Sequence, residues 1–225
     1  MSFAARVLEG CTLNIMTTLA NRKSVMTLYT DIGDPLGHSV RLVLQEKDIN
    51  ANVQFVQVGE RPDVLNDLNP YEATLTLVDR DLVLYDAQSM MEYLDERYPH
   101  PPLMPVDPVS RANNRQFRYR IVRDLYQLVA DVMGDNEIAA ASAKKLLKDD
   151  LMAICPVFSQ YAYFMSDEFS LVDICLAPVL WRLPSLELKL GMPAKPLLTY
   201  ADKVFERQAF QESLSEDEKQ LRSSK

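Results

Sequence analysis

Histidine and cysteine, which often act as catalytic bases, nucleophiles and metal ligands, are scarce in this sequence. Its 225 residues include two histidines, His38 and His100, and three separated cysteines, Cys11, Cys155 and Cys175. There is no C-x-x-C pair, and two histidines are too few for a multi-histidine metal centre. The odd number of separated cysteines also argues against a disulfide framework and suits a reducing compartment. We therefore expect a cytoplasmic protein without a metal site or a bound cofactor.

His100 lies in the most unusual segment of the chain, because four of the seven residues 99–105 are prolines. Such a segment can be neither a helix nor a central strand. A stiff segment loses little conformational entropy on binding, so it could present an apolar ridge to a partner. A catalytic role for His100 is disfavoured, because no serine or cysteine nucleophile is evident near it in the sequence. The alternative is that the segment only packs two domains together, with His100 bonded to a backbone carbonyl group.

The overall composition limits the classes of function. The chain has 24 lysines and arginines against 32 aspartates and glutamates, a formal net charge of −8. Because binding a phosphate backbone requires clustered basic residues, we expect no direct sequence-specific binding of nucleic acid. No apolar run approaches the length of a membrane-spanning helix, so we expect no membrane contact. The length and the 48% hydrophobic content suffice for one or two packed domains.

The residues before the proline segment alternate between strand-like and helical patterns. Strands are predicted at 25–29, 53–58, 76–78 and 82–85, and helices at 39–47, 62–68 and 88–97. The last two strands are joined by Asp79-Arg80-Asp81, which predicts a tight hairpin. This order, a βαβ unit, a short helix, a hairpin and a closing helix, is typical of a thioredoxin-like α/β domain.

The residues after the proline segment show helical patterns only. Ser170 and Ser215 each precede an acidic residue three positions later, which is the pattern of a capping box. Helices are predicted at 109–133, 142–163 with a bend near Pro156, 170–181, 196–207 and 215–222. The predicted organisation is a flexible leader (1–24) with the natural start at Met16, a thioredoxin-like domain (25–101), a proline-rich linker (102–108) and an all-helical domain with a charged tail (109–225).

This arrangement resembles that of the cytosolic glutathione S-transferases. Four strings carry a narrower resemblance within that superfamily: MEYLDERYPHPPLMP at 91–105, DEFSLVD at 167–173, LWRLP at 180–184 and VFER at 204–207. In these strings the sequence is similar to the bacterial stringent starvation protein family. The resemblance extends from about Arg22 to about Arg222 and implies a thioredoxin-like domain followed by the helical C-terminal domain of that fold.

A glutathione transferase needs a donor to the thiolate, a backbone clamp and an anchor for the γ-glutamyl end of glutathione. The resemblance places these elements at Asp34, Leu75 and Asp86-Ala87. An ionised Asp34 would repel a thiolate, and Ala87 lacks the hydroxyl group of the usual Glu/Gln-Ser pair. A cis peptide bond before a residue other than proline costs about 2.5–4 kcal/mol, so we predict a trans Thr74–Leu75 bond.

These departures predict that the chain is not an active glutathione transferase. Tyr29 and Thr30 remain alternative thiolate donors, although Tyr29 also fits a core position. Gln88-Ser89 has the composition of the Glu/Gln-Ser pair but lies two residues after the expected position. Its side chains should therefore point in another direction around the helix. A glutathione-dependent transferase or glutathione-binding protein is therefore the alternative function.

The resemblance implies that the chain associates with RNA polymerase holoenzyme, its sigma factor and core subunits, and regulates transcription in starvation, stationary phase and acid stress. It implies contact through a surface pocket at the Pro-His-Pro segment, with partner-binding residues Tyr98, Pro99, His100, Pro101, Pro102, Arg97 and Arg80. Gln88 and Asp107 replace an expected arginine and tyrosine at the pocket's rim. The net charge of −8 suits docking on basic surfaces of the polymerase.

The resemblance also implies a homodimer. The helix at 109–133 carries an apolar stripe that could serve both the core and a subunit interface, formed by Phe117, Ile121, Leu125 and Leu128. The alternative is that the stripe is wholly internal. We interpret Cys155 and Cys175 as core residues, and His38 as a polar residue in the first turn of a helix rather than a functional one.

Overall fold

The computed structural model describes residues 25–57, 60–71 and 73–223. The predicted leader, with Met16 and Cys11, lies outside the described residues. The strands are β1 (Thr27–Asp31), β2 (Asn52–Val56), β3 (Thr76–Asp79) and β4 (Leu82–Leu84). The helices packed with them are α1 (Pro35–Glu46), α2 (Val64–Leu68) and α3 (Ala87–Arg97).

The rest of the described chain is helical. Its α-helices are α4 (Pro108–Arg120), α5 (Gln127–Met133), α6 (Glu137–Ile154), α7 (Leu171–Arg182), α8 (Lys195–Phe205), α9 (Gln208–Ser213) and α10 (Glu216–Ser223). A π-helical stretch (Ile121–Tyr126) joins α4 to α5, and two 3₁₀ turns occur at Cys155–Ser159 and Met192–Ala194. The predicted fold class, a thioredoxin-like domain followed by a helical domain, is confirmed.

The four strands form one mixed sheet in the order β2-β1-β3-β4. β1 pairs in parallel with β2, and β3 runs antiparallel to both β1 and β4. The predicted hairpin is confirmed: it turns at Arg80 and Asp81, and Arg80 has a positive φ of 56°. The first strand is predicted at 25–29 but lies at Thr27–Asp31, because Thr30 and Asp31 pair with Phe55 and Val56 of β2.

The first helix begins earlier than the predicted residue 39. Asp34 caps its N-terminus by accepting hydrogen bonds from two backbone N–H groups, and Pro35 occupies the first helical position. An aspartate followed by proline is a helix start as well as a chain breaker, because proline has the φ angle of a helix and needs no N–H donor there. The residues that follow, from Gly37 to Leu44, are buried between the sheet and the helical domain.

Local capping signals set most boundaries in the helical domain. The two predicted capping boxes are present, since Ser170 with Asp173 and Ser215 with Glu218 exchange hydrogen bonds. The predicted helix 142–163 is wrong at both ends: α6 begins after the cap at Asn136 and stops before Pro156. The sequence patterns also missed the short helix α9.

The larger apolar core runs through both domains, so the sheet and the helical bundle pack directly on each other. Cys155 and Cys175 lie in this core as predicted, and burial raises the pKa of Cys175 to about 11. Of the stripe on the first long helix, Ile121 and Leu125 are buried and the other two members pack against the chain's own core. None of the helices in the described part of the chain is long and apolar enough to cross a membrane.

Candidate functional site

The proline segment forms an exposed ridge between the two domains. We use the name ridge for residues Tyr98–Pro102; Tyr98 is half-buried and the following four residues are exposed. The next two residues, Leu103 and Met104, turn inward and are buried. The backbone of Leu103 fastens the ridge at its end, because its N–H donates to Asp95 Oδ1 at 2.9 Å and its carbonyl accepts from Leu171 N at 2.9 Å.

A buried lysine holds the ridge from below. Lys47, at the C-terminal end of α1, has a side chain that is 0% exposed. Its Nζ donates to Asp95 Oδ1 at 2.6 Å, to the carbonyl oxygen of Tyr98 at 2.7 Å and to that of Pro101. All three N–H groups of the ammonium therefore have acceptors, two of them in the ridge. This anchor was not predicted, because nothing in the local sequence pairs Lys47 with residues some fifty positions away.

The two predicted flanking arginines lie beside the hairpin turn. Arg97 forms an ion pair with Asp79, in which Nε lies 3.1 Å from Oδ2, and Arg80 is the next residue along the turn and is exposed. Tyr93 donates its hydroxyl proton to the same Asp79 oxygen at 2.6 Å. Burial, together with this hydrogen bond, raises the pKa of Tyr93 to about 12, so the hydroxyl group remains a donor. The structure thus brings Arg97 against the ridge residue Tyr98, while Arg80 follows Asp79, the ion-pair partner of Arg97, in the hairpin turn.

A recess of about 220 Å³ lies behind the ridge. Pro102 and Pro105 form one wall, and Phe117, Phe164 and Phe169 contribute aromatic surface. The two residues that depart from the family at the predicted rim have structural roles. Asp107 caps α4 by accepting from Ser110 N at 2.9 Å, and the Gln88 side chain bonds Arg118 and Cys175 inside the domain interface.

The positions of the glutathione-binding elements are occupied by contacts within the chain. Both carboxylate oxygens of Asp34 accept backbone N–H groups of α1 at 2.9 Å. Burial raises the pKa of Asp34, although these hydrogen bonds oppose the shift. Asp86 caps α3, with one oxygen accepting from both the backbone N and the hydroxyl group of Ser89. The Thr74–Leu75 bond is trans, as predicted, since His100–Pro101 is the one cis bond in the described ranges.

The two alternative thiolate donors are also placed in the interior. Thr30 is fully buried beneath the first turn of α1, where its hydroxyl group donates to the Asp31 carbonyl oxygen at 3.3 Å. Tyr29 is buried in a small apolar cluster on the other face of the sheet. This placement favours the core interpretation of Tyr29.

A buried cluster of charged groups joins the two domains. Glu218 of α10 bonds Arg182 of α7 at 2.6 Å and Arg41 of α1, and all three side chains are at most 3% exposed. Burial by itself would raise the pKa of Glu218, but the two guanidinium groups hold it well below its usual range. His38 lies beside them, with Nδ1 3.5 Å from Glu218. This contact is not an ion pair, because the imidazole is neutral.

The hydrogen bonds of His38 fit a neutral ring. Ser213 donates its hydroxyl proton to the Phe210 carbonyl, so it accepts from His38 Nε2, and the unprotonated Nδ1 faces Arg182 at 3.4 Å. Burial lowers the pKa of His38 to about 3, and the neighbouring arginines add to this effect. His38 lies in the first turn of α1, as predicted. It is, however, fully buried in the contact between the two domains.

The neutral His38 predicts a loss of stability in acid. In the unfolded chain the imidazole takes a proton below about pH 6.5, whereas in the folded chain it stays neutral down to about pH 3. Folding is therefore progressively penalised as the pH falls through this window. From pH 7 to pH 5 the wild type should lose about 2 kcal/mol more unfolding free energy than His38→Gln. Urea denaturation of both proteins at the two pH values measures this difference; equal losses would contradict it.

Both halves of the chain match glutathione S-transferase families. Residues 28–102 match the glutathione S-transferase N-terminal domain and residues 112–208 the C-terminal domain. Among solved structures, a theta class glutathione S-transferase from Xanthomonas axonopodis pv. citri, with glutathione bound, has a TM-score of 0.77 and 18% sequence identity. That match covers 85% of this chain and 98% of the transferase, and at this identity it shows the common fold.

Curated relatives give a narrower classification. A stringent starvation protein A homolog from Histophilus somni is 46% identical over 202 residues, 89% of this chain and 95% of the relative. A homolog of the same name from Coxiella burnetii is 43% identical, with 89% and 97% coverage. At this level of identity along nearly the whole of both proteins, the chain belongs to the stringent starvation protein A family, a branch of the glutathione S-transferase superfamily.

Proposed function

We propose that this protein regulates transcription by binding RNA polymerase holoenzyme through the ridge, without glutathione chemistry, during starvation, stationary phase and acid stress. Membership of the stringent starvation protein A family supports the biological role. The observation that carries the proposal is the ridge itself: four consecutive exposed residues, three of them proline, held from below by Lys47. A surface that is already rigid loses little entropy when a partner binds.

The contacts at the former glutathione site support a non-catalytic role. A thiolate next to Asp34 would meet a carboxyl group instead of a hydroxyl or thiol donor. The backbone N–H groups at the start of α1 and α3, which could stabilise an anion, are already bonded to Asp34 and Asp86. Leu75, with a trans bond before it, replaces the proline that would present a backbone edge to glutathione.

We further propose that the protein acts as a homodimer in the cytoplasm. Exposed apolar side chains lie along the first long helix and just before it, where the superfamily forms its subunit interface. They include Val106, Val109, Tyr119 and Met133, of which Val106 is 93% exposed. A second subunit would remove this surface from water.

A retention assay with purified RNA polymerase holoenzyme tests the proposal. The full chain is immobilised, and His100→Ala and Pro102→Ala are compared with the wild type. Loss of a contact at the centre of an interface typically weakens binding by about tenfold or more, and we expect this from both variants. The matched control is Pro193→Ala, because Pro193 is an exposed proline at the start of a 3₁₀ turn in the helical domain. This control should bind like the wild type.

Glutathione–agarose is used with the same samples to examine the alternative function. We expect no retention of the wild type. Polymerase binding that is unchanged in both ridge variants would contradict the proposed surface. Retention on glutathione without polymerase binding would instead favour a glutathione-dependent transferase.

A further inference from the structure

Arg97 is held in a fixed orientation beside the ridge. Its Nε lies 3.1 Å from Asp79 Oδ2 in an ion pair, and its guanidinium carbon lies 5.9 Å and 5.6 Å from the ring centres of Tyr93 and Tyr98. Both distances are within the range of a cation–π contact. Asp79 is itself held by the Tyr93 hydroxyl group and is only 6% exposed. The side chain is therefore oriented before any partner arrives.

The outer end of the same guanidinium group faces solvent. The Arg97 side chain is 33% exposed, and within the described part of the chain its one ion pair is the Nε contact with Asp79. The Tyr98 hydroxyl group accepts a hydrogen bond from the same guanidinium group, which, with the charge of Asp79, raises the pKa of Arg97. The N–H groups that remain lie in one plane and can donate to a carboxylate. Arg80 adds a second exposed positive charge in the adjoining turn, and Asp81, also exposed, forms no ion pair there with either arginine.

We propose that Arg97 binds a carboxylate of the partner, so that the segment docking on the ridge is an acidic peptide segment. This inference rests on the proposed function, because it assumes that the ridge is the contact surface. The apolar side chains of the segment would lie on the prolines, while one aspartate or glutamate side chain reaches the Arg97 guanidinium group. Arg80 would add a longer-range attraction that steers the acidic segment toward Arg97.

The number of basic contacts that each ligand requires distinguishes a peptide carboxylate from a nucleic acid phosphate. A chain with net charge −8 is repelled by the dense negative charge of DNA or RNA, which binding proteins overcome with many basic contacts. Arg97 lies beside Tyr98 and the apolar prolines, and Arg80 is exposed in the hairpin turn after Asp79. A single fixed guanidinium group beside an apolar surface suits one carboxylate in a peptide.

The first test uses the isolated protein and a defined probe. Backbone amide resonances of Arg80 and Tyr98 are followed by NMR at 0.15 M salt during titration with a capped triglutamate peptide. Capped triglutamine and inorganic phosphate serve as comparisons. We expect saturable shifts with triglutamate and none with triglutamine. In Arg97→Lys, which keeps the charge but lacks the planar guanidinium group, affinity for the peptide should fall about tenfold.

Arg123→Lys is the matched control, because Arg123 also stacks on a tyrosine, Tyr119, at 5.8 Å and is more exposed. This variant should leave the triglutamate shifts at Arg80 and Tyr98 unchanged. Triglutamate shifts of equal size at the amides around Arg123 and around Arg97 would contradict a site that is selective for Arg97. Tighter binding of phosphate than of triglutamate would overturn the choice of a peptide carboxylate and favour a nucleic acid phosphate.

The second test separates this inference from the proposed function. Arg97→Lys is placed beside His100→Ala in the polymerase retention assay, and we expect both to lose about tenfold in affinity. If only His100→Ala weakens retention, the ridge is the contact surface but Arg97 does not hold a partner carboxylate. If neither variant weakens retention, the proposed surface itself is wrong.

Discussion

Replacing Lys47 with methionine is expected to lower the free energy of unfolding by about 3–5 kcal/mol, because it removes one partner of a buried ion pair. Methionine has a similar length, so the change acts mainly through the lost charge and hydrogen bonds. Asp95 would stay buried without its counter-charge, and the carbonyl groups of Tyr98 and Pro101 would lose their donor. Urea denaturation at pH 7 measures the stability.

Lys144→Met is the matched control for this change. Lys144 Nζ lies 3.6 Å from Glu187, whose side chain is 87% exposed. An exposed pair of this kind contributes about 1 kcal/mol or less. A loss for Lys47→Met no larger than that of the control would contradict a buried anchor.

Hydrogen exchange links the same variant to the ridge. The backbone N–H of Leu103 donates to Asp95, which Lys47 holds in place, so exchange at Leu103 should accelerate in Lys47→Met. If the ridge depends on this anchor for its rigidity, polymerase retention should fall together with the protection of Leu103. Unchanged exchange at Leu103 would contradict the proposed rigidity of the ridge.

Glu218→Gln is expected to have an effect of similar size, again about 3–5 kcal/mol. Glu218 is the carboxylate between Arg41 and Arg182, and neutralising it leaves two buried guanidinium groups close together. The change also weakens the cap of α10, because Glu218 Oε2 accepts from Ser215 N at 2.9 Å. Since stable domains retain only about 5–15 kcal/mol, this loss is a large part of the total.

The same helix supplies the control for Glu218. Glu216 pairs with Lys219 at 2.8 Å, but its side chain is 85% exposed, so Glu216→Gln should change stability by about 1 kcal/mol or less. Thermal or urea denaturation of the two variants measures the difference. Similar losses in both would show that the buried cluster does not hold the C-terminal helix to the two domains.

Most elements of the fold could be predicted because their signals are local. The hairpin at Arg80, the cap at Ser170 and the helical stripe through Leu94 each depend on residues a few positions apart. The errors arose where one local signal has two meanings. Asp34-Pro35 can end a strand or begin a helix, and here it begins α1. The helix predicted from residue 142 begins five residues earlier, because Asn136 is its N-cap.

The sequence indicated where the exposed proline segment lies, but not the long-range contacts that hold it in place. The proline content of residues 99–105 indicated a stiff exposed segment, and family resemblance indicated Arg97 and Arg80 beside it. No sequence pattern indicated that Lys47 would hold the ridge, or that His38 would be buried next to Glu218. Those contacts depend on how helices far apart in sequence pack together.

The order of strands and helices follows from the amino-acid sequence alone, as do the caps that bound them, the rigid proline segment and the family of the protein. These depend on backbone preferences and on side chains within one or two turns of each other. Which charged side chains are buried and paired depends, in contrast, on how the two domains pack together. Arg41 meets Glu218 across 177 residues, and the strength of that contact comes from the exclusion of water by the packed domains. Burial is a property of the whole fold, so its energetic consequences cannot be read from neighbouring residues.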